Sequence, residues 1–357
     1  MKPLSGSAKL PIRGRIAADR ITKNLVLRLK PGAIALISHD DMDTLAAESL
    51  LEARVRAVIN AGRTITGSLP IKSALRLLEA GVPVFEIAPS DYDQAAASSR
   101  AVIHKNGISL DHGWVPCTAF TQELWLERFT LASMGEKQQL RRFIENTLHY
   151  AQYEQAVILE PLQCPPLRTC LVGKQVLIVV RGAGYKQDLV ALTSYIRSRR
   201  PVLIGVDGGA DALLECGFRP HLIVGDMDSV TDAALRCGAE LLVHGYLDGR
   251  APGLERVKAA GLEAATVLSG GTSEDLALLL AYDQQCELMV TVGLHSHMLD
   301  FMEKGRPGMG SSWLVRMKVG GKLVDAKGIS KLYAQAAELK SIPVRAGWKA
   351  YVKSLFI

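Results

Sequence analysis

The chain has 357 residues, 48% of them hydrophobic and 22% charged, with a formal net charge of +6. That length admits two domains, and the composition is ordinary for a globular protein. The positive charge is mild and spread out with no Lys/Arg block, which argues against a nucleic-acid partner, and no run of about 20 apolar residues offers a membrane-spanning helix.

The N-terminus, Met-Lys-Pro-Leu-Ser-Gly-Ser, lacks the apolar core of a secretion signal, so a cytoplasmic location is expected. Residues Ala33–Ser38, Ala57–Ala61 and Val84–Ile87 read as short buried strands. Between them, Thr44–Val55 and Ile71–Glu79 read as helices, the second with Pro70 at its start and Gly81 past its end. This βαβαβ run implies a small parallel sheet. Ala101–Leu110 reads as a hairpin turning at Asn106-Gly107 in a type I′ turn. Thr121 to about Leu159 reads as a long helix interrupted near Gly135. Its stripe of Leu140, Phe143, Ile144 and Leu148 either faces a core or forms the seam of a homodimer.

Glu160 to Thr169 is rich in proline and marks a boundary. Beyond it, Val176–Val180, Val202–Val206, Leu222–Val224, Leu241–Val243, Ala265–Leu268 and Leu288–Val292 are short apolar strands. Helices are expected from Lys186 to about Arg197 and near Ala210–Glu215, Asp232–Arg236, Pro252–Ala259 and Ser273–Tyr282. The alternation predicts a doubly wound α/β domain. The expected division is 1–160, an N-terminal α/β domain with a long connecting helix; 161–170, a Pro-rich linker; 171–330, a nucleotide-binding domain; and 331–357, a mixed, basic tail. The six cysteines, Cys117, Cys164, Cys170, Cys216, Cys237 and Cys286, show no C-x-x-C spacing and read as reduced thiols.

Three acids stand just past apolar runs of the second domain: Asp207, Asp226 and Asp228. Carboxylates at the C-terminal ends of parallel strands point into the crevice where such sheets bind ligands. Mg²⁺ takes hard oxygen ligands, usually one or two carboxylates together with phosphate oxygens. The pattern therefore predicts a Mg²⁺ ion on Asp226, Asp228 and Asp207, with ATP or another nucleotide or diphosphate as ligand; the other reading is that the acids cap the helix that follows. Arg181-Gly182-Ala183-Gly184-Tyr185-Lys186 reads as a phosphate cradle or as a plain strand-to-helix turn. Gly208, Gly209 and Ser229 complete the expected phosphate contacts. In Ser269-Gly-Gly-Thr272-Ser273-Glu-Asp275, Thr272 or Ser273 caps a helix, and Asp275 is either part of that cap or a ligand. His295 and His297 are a weak metal pair. Arg306–Ser312 is a phosphate-facing loop or a connection, and Asp40, Asp41 and Asp43 are a solvated helix start or a second site.

Asp207-Gly208-Gly209-Ala210 and Gly225-Asp226-Met227-Asp228-Ser229 resemble the thiamine pyrophosphokinase catalytic domain. That resemblance implies a Rossmann-like fold and transfer of diphosphate from ATP with release of AMP, with Asp207 or Asp275 taking the acceptor's proton. The third element of that family is altered here to Thr272-Ser273-Glu274-Asp275, and its Gly-Gly-Arg-x-Asp-His element is absent around Gly293–His297.

A longer resemblance runs through both domains. Arg200–Glu215, His221–Val230, Asp248-Gly-Arg-Ala-Pro-Gly-Leu-Glu-Arg256, Gly271–Asp275, Val319–Gly328 and Glu145-Asn-Thr-Leu-His-Tyr-Ala-Gln152 are similar to the SteA family, bacterial proteins linked to the cytokinetic ring and cell separation. The resemblance implies a division protein with a thiamine-pyrophosphokinase-like second domain, at the inner face of the membrane and with a membrane partner of the SteB kind. Three functions follow as expectations: a Mg²⁺-nucleotide-binding division protein, an active pyrophosphokinase, or a catalytically dead scaffold.

Overall fold

The computed structural model describes residues 10–26 and 28–332. The chain forms two compact units, 1–160 with 295–314, and 161–294 with 315–357. Both are α/β. The tail from residue 333 lies outside the described residues.

In the first unit, β1 (Ile12–Ala18), α1 (Thr22–Val26), β2 (Ile34–Ile37), α2 (Thr44–Glu52), β3 (Ala57–Asn60), α3 (Ser73–Glu79) and β4 (Val84–Glu86) alternate. A 3₁₀ turn at Pro89–Asp91 leads to α4 (Tyr92–Ala96) and then to β5 (Arg100–Ile103), β6 (Gly107–Leu110), β7 (Gly113–Pro116) and β8 (Thr118–Phe120). The helices α5 (Gln122–Tyr153) and α6 (Ala156–Leu159) follow. The sheet order is β7-β6-β5-β1-β2-β3-β4-β8. Strands β1 to β4 run parallel, and antiparallel strands flank them on both sides. Both β2 and β3 are buried along their whole length, as parallel strands covered on two faces must be. Ala35 and Ile37 join the core with Leu50, Leu77 and Trp125; Ile34 and Leu36 join the opposite core with Phe85, Tyr92 and Ile108. Alternate residues of one strand thus serve two cores, as the pleat requires.

Three expectations are corrected in this unit. The hairpin closes through His104 N donating to Gly107 O at 2.8 Å, so Lys105 and Asn106 are its central residues. Neither Asn106 nor Gly107 has the positive φ of a type I′ turn. Glycine is needed at 107 because the Trp114 ring lies on it, where a Cβ would collide. Gly135 does not interrupt α5, which runs through 32 residues; nothing packs on Gly135, so its cost is only the intrinsic ~1 kcal/mol of a helical glycine. Of the stripe Leu140, Phe143, Ile144 and Leu148, only Phe143 is fully buried, and the face that meets the core is Trp125, Ala132, Phe143 and Ala151.

The second unit begins with β9 (Gln175–Val179), α7 (Tyr185–Ala191), α8 (Thr193–Arg199), β10 (Val202–Val206), α9 (Gly209–Glu215) and β11 (Leu222–Gly225). It continues with α10 (Asp232–Leu235), β12 (Glu240–Gly245), α11 (Pro252–Ala259), β13 (Ala265–Leu268), α12 (Ser273–Asp283) and β14 (Leu288–Val292). The chain then forms α13 (Met298–Glu303) and α14 (Gly310–Val319) before β15 (Leu323–Asp325). The sheet is all parallel, in the order β13-β12-β11-β10-β9-β14-β15. The chain steps outward from β9 to β13, then returns to the other side of β9. That reversal is the signature of a sheet wound in two directions. No helix among the described residues is long and apolar enough to cross a membrane.

Candidate functional site

Asp207 leaves β10 level with the end of β11, its N–H donating to Val224 O at 2.9 Å. Its carboxylate turns onto the neighbouring loop, where Oδ1 accepts from Met227 N at 3.0 Å. The same carboxylate fills the space where a Cβ on residue 225 would stand, and Gly225 has φ +152°. Only glycine fits there. Asp207 and Met227 also carry positive φ, +47° and +64°. For a residue with a Cβ, left-handed backbone costs roughly 1–2 kcal/mol, and such strain collects at ligand sites.

Met227 is buried, and Asp226 and Asp228 on either side of it are exposed. Asp226 Oδ1 accepts from Asp228 N at 3.0 Å, a local turn that leaves both carboxylates at the surface. The structure does not bring Asp207, Asp226 and Asp228 together as a three-ligand set: among the described residues no group of three His, Cys, Asp or Glu side chains could hold a metal ion. Asp207 Oδ1 is turned to the backbone of the loop, while Asp226 and Asp228 lie at its surface. A Mg²⁺ ion here would rest on Asp226 and Asp228 and draw its other oxygens from phosphate and water, which suits its chemistry.

The basic side of the site is Arg181, from the loop after β9. Its side chain lies across Gly208, where a Cβ would stand 2.8 Å from Arg181 Cδ and 3.0 Å from Nε. Nε is buried and has no hydrogen-bond partner. Glu215, at the end of α9, pairs with Arg181 at 3.6 Å and with Lys186 at 3.7 Å. Gly184 takes φ +74° as the residue before α7. Burial, reinforced by Glu215, raises the pKa of the adjacent Cys216, so that thiol stays protonated. All six cysteines are unpaired.

The other candidates of the second unit lie on the loops after β11 and β13. Thr272 and Asp275 form a reciprocal cap on α12: Asp275 N donates to Thr272 Oγ1 at 3.1 Å, and Thr272 N to Asp275 Oδ2 at 3.0 Å. Ser273 Oγ meets His244 Nδ1 at 3.2 Å. Their loop leaves β13, and Ser273 sits beside β12, the strand next to β11. Ser229 is half-buried within the Asp226 loop.

His297 and Asp300 cap α13, and His295 faces Lys304, so the histidine pair is not a metal site. Met309 N, in the loop 306–312, donates to Thr147 Oγ1 at 3.1 Å, which makes that stretch a packed connection. In the first unit, Asp43 caps α2, Asp40 accepts from Arg63 N, and Asp41 accepts from Thr66 N and Oγ1. These acids pin loops rather than form a second site.

Two residues of the site escaped the sequence reading. Asp211 is buried on α9 and accepts from the N and Oγ1 of Thr231. Arg256, on α11, donates to the carbonyls of Met227 and Val230. The positions of Asp211, one turn after Asp207, and of Arg256, closing the Asp248–Arg256 block, were the available signals.

The whole is a mixed α/β protein with strand-end carboxylates and a basic loop on one parallel sheet. No family model matches the chain, and no curated protein matches it. Among solved structures, it is similar to thiamine pyrophosphokinase from Bacillus subtilis, with 25% identity and a TM-score of 0.28 over 43% of this chain and 59% of that one. The chain thus spans about three fifths of that kinase. A second similarity is to 3-isopropylmalate dehydratase (leuD) from Methanocaldococcus jannaschii, with 10% identity and a TM-score of 0.21 over 35% of this chain and 98% of that one. At these scores the two matches by themselves assign neither fold nor function.

Proposed function

We propose that this chain is a SteA-like cell-division protein whose second unit, of the Rossmann-like thiamine-pyrophosphokinase kind, binds a Mg²⁺-nucleotide or diphosphate ligand. The observation that carries the reading is Arg181. A buried donor without a partner costs about 1–3 kcal/mol, and a phosphate oxygen over Gly208 would remove that cost. Arg181 and Lys186 would hold phosphate beside Gly208 and Gly184, while Gly182 and Gly209 let their loops pack against the backbone of Gly293 and Val179. Asp226 and Asp228 would hold the Mg²⁺, which supplies charge neutralisation between carboxylates and phosphate.

Binding is favoured over phosphoryl or diphosphoryl transfer. The third element of the kinase family is altered here to Thr272-Ser273-Glu274-Asp275, and the two candidate bases each already accept a backbone N–H, Asp207 from Met227 and Asp275 from Thr272. Cell division, a site at the inner face of the membrane and a SteB-like membrane partner belong to the same proposal through the sequence resemblance.

The test is calorimetric titration of ATP with and without Mg²⁺, with AMP and ADP release measured in parallel, on the wild type and on Asp226→Asn/Asp228→Asn. The reading expects Mg²⁺-dependent binding that the double substitution weakens, without release of AMP. AMP release would make the protein a pyrophosphokinase. Absence of binding would leave a scaffold.

A further inference from the structure

The loop from Asp226 to Thr231 is short, carries a strained non-glycine residue, Met227, and presents the exposed carboxylates of Asp226 and Asp228 on either side of it. Something must hold Met227 in the left-handed region, because a side chain gains nothing from that conformation. The loop's own hydrogen bonds do not suffice, apart from the Asp226–Asp228 turn. Side chains from three other segments do the holding. Asp207 takes Met227 N. Asp211 takes Thr231 N at 3.1 Å and the Thr231 hydroxyl. Arg256 takes Met227 O through Nη1, Val230 O through Nη2 at 2.5 Å, and Asp232 Oδ1 through Nη2 at 3.3 Å.

We propose that Arg256 is the positioning residue of the Asp226–Asp228 loop: its forked guanidinium, gripping the carbonyls of Met227 and Val230, fixes the turn that sets both carboxylates on one cation. The inference rests on the binding reading and extends it, since Arg256 touches neither the cation nor the phosphate. The fork is the essential feature. Arginine presents several donors in one rigid plane, whereas a lysine ammonium is a single flexible point charge. Lysine at 256 keeps the charge but cannot hold two carbonyls at fixed separation. Met227 fills the buried side of the turn, so losing the grip on its carbonyl is expected to loosen the turn that carries Asp226 and Asp228.

The experiment compares wild type with Arg256→Gln and Arg256→Lys by two readouts. The first is the Mg²⁺ concentration that half-saturates ATP binding. The second is hydrogen exchange of the amides of residues 226–231 without ligand. Both substitutions are expected to raise the half-saturating Mg²⁺ by about tenfold, the worth of one charge-assisted hydrogen bond, while ATP binding without Mg²⁺ stays at the wild-type level. Exchange in 226–231 is expected to speed up in both. A folded Arg256→Lys protein with wild-type Mg²⁺ dependence would overturn the proposal, because charge alone would then suffice. So would wild-type exchange in Arg256→Gln. If Arg256→Gln does not fold, the lysine variant decides the matter alone. Wild-type protein that binds no ATP defeats the binding reading and leaves the grip of Arg256 on the loop to be judged by exchange. The exchange data still separate that outcome, because they report on the clamp without any ligand.

Discussion

Replacing Glu215 by glutamine removes the one carboxylate that pairs with both cations assigned to phosphate. Glu215 stands 3.6 Å from Arg181 and 3.7 Å from Lys186, and its side chain is 52% exposed. If phosphate binds Arg181 and Lys186, it must displace those pairings and approach a negative charge. At such exposure each pair is worth about 0.2–1 kcal/mol, so the two together oppose binding by about 0.4–2 kcal/mol. Glu215→Gln should therefore tighten ATP binding between about 2-fold and 30-fold at ~0.1 M salt. The assay is calorimetric titration with Mg²⁺ present, repeated at ~1 M salt, where a Debye length near 3 Å shrinks the difference between variant and wild type. Unchanged or weaker affinity in the variant, in a protein whose wild type binds ATP, would refute the reasoning. Arg181 and Lys186 would then not be the phosphate contacts.

Two further outcomes concern stability. Glu86 meets Arg128 through both oxygens at 2.7 and 2.8 Å and also accepts from Thr64 N; the pair is 10% and 19% exposed. Glu86→Ala leaves a largely buried guanidinium without its partner and should cost about 3 kcal/mol in urea unfolding of the first unit, whereas a loss below about 1 kcal/mol would show that solvent reaches the pair. In the second unit, burial alone would raise the Glu240 pKa, but hydrogen bonds from Arg168 N and from Thr169 outweigh it and hold the value below the ordinary 4.5. A depressed folded pKa adds stability that is present above 4.5 and lost as the pH falls through the folded value. Glu240→Gln should therefore flatten the acid limb of a pH–stability curve below 4.5, leaving less slope than in wild type; an unchanged limb would count against this role.

Much of the second unit was legible because its strands are runs of apolar, mostly β-branched residues bounded by turn chemistry. Val202–Val206, Ala265–Leu268, Leu288–Val292 and the helix Pro252–Ala259 stand where the residue pattern places them. The first unit was less so. The strand β1 (Ile-Arg-Gly-Arg-Ile-Ala-Ala) sits between β5 and β2, yet escaped notice because its arginines and half-exposed residues hide the apolar signal. Of the stripe Leu140 to Leu148 only Phe143 faces the core, since Trp125, anchored by Nε1 to Ile71 O at 3.1 Å, helps set which face of α5 turns inward. The site was half legible. Acidic residues after strands can be read from order alone. That Asp207 would spend an oxygen on Met227 N, and that Arg256 would seek carbonyls 26 and 29 residues away, depends on backbone groups that every residue carries and no sequence displays.

The strand order also bears on where a ligand would sit. The general rule puts the crevice where the winding reverses, here between β9 and β14. In this unit that position is closed. Gly182 lies against Gly293 so tightly that a Cβ on either would strike the other loop's backbone. The chemistry lies one and two strands away, on the loops after β10 and β11, and Arg181 connects the two places by leaning from the β9 loop across Gly208. A phosphate over Gly208 would then meet Arg181 on one side and the Asp226–Asp228 loop on the other. On the proposed reading, the glycines that close the reversal point and the arginine that leaves it are parts of one arrangement, which would move the ligand toward the carboxylates.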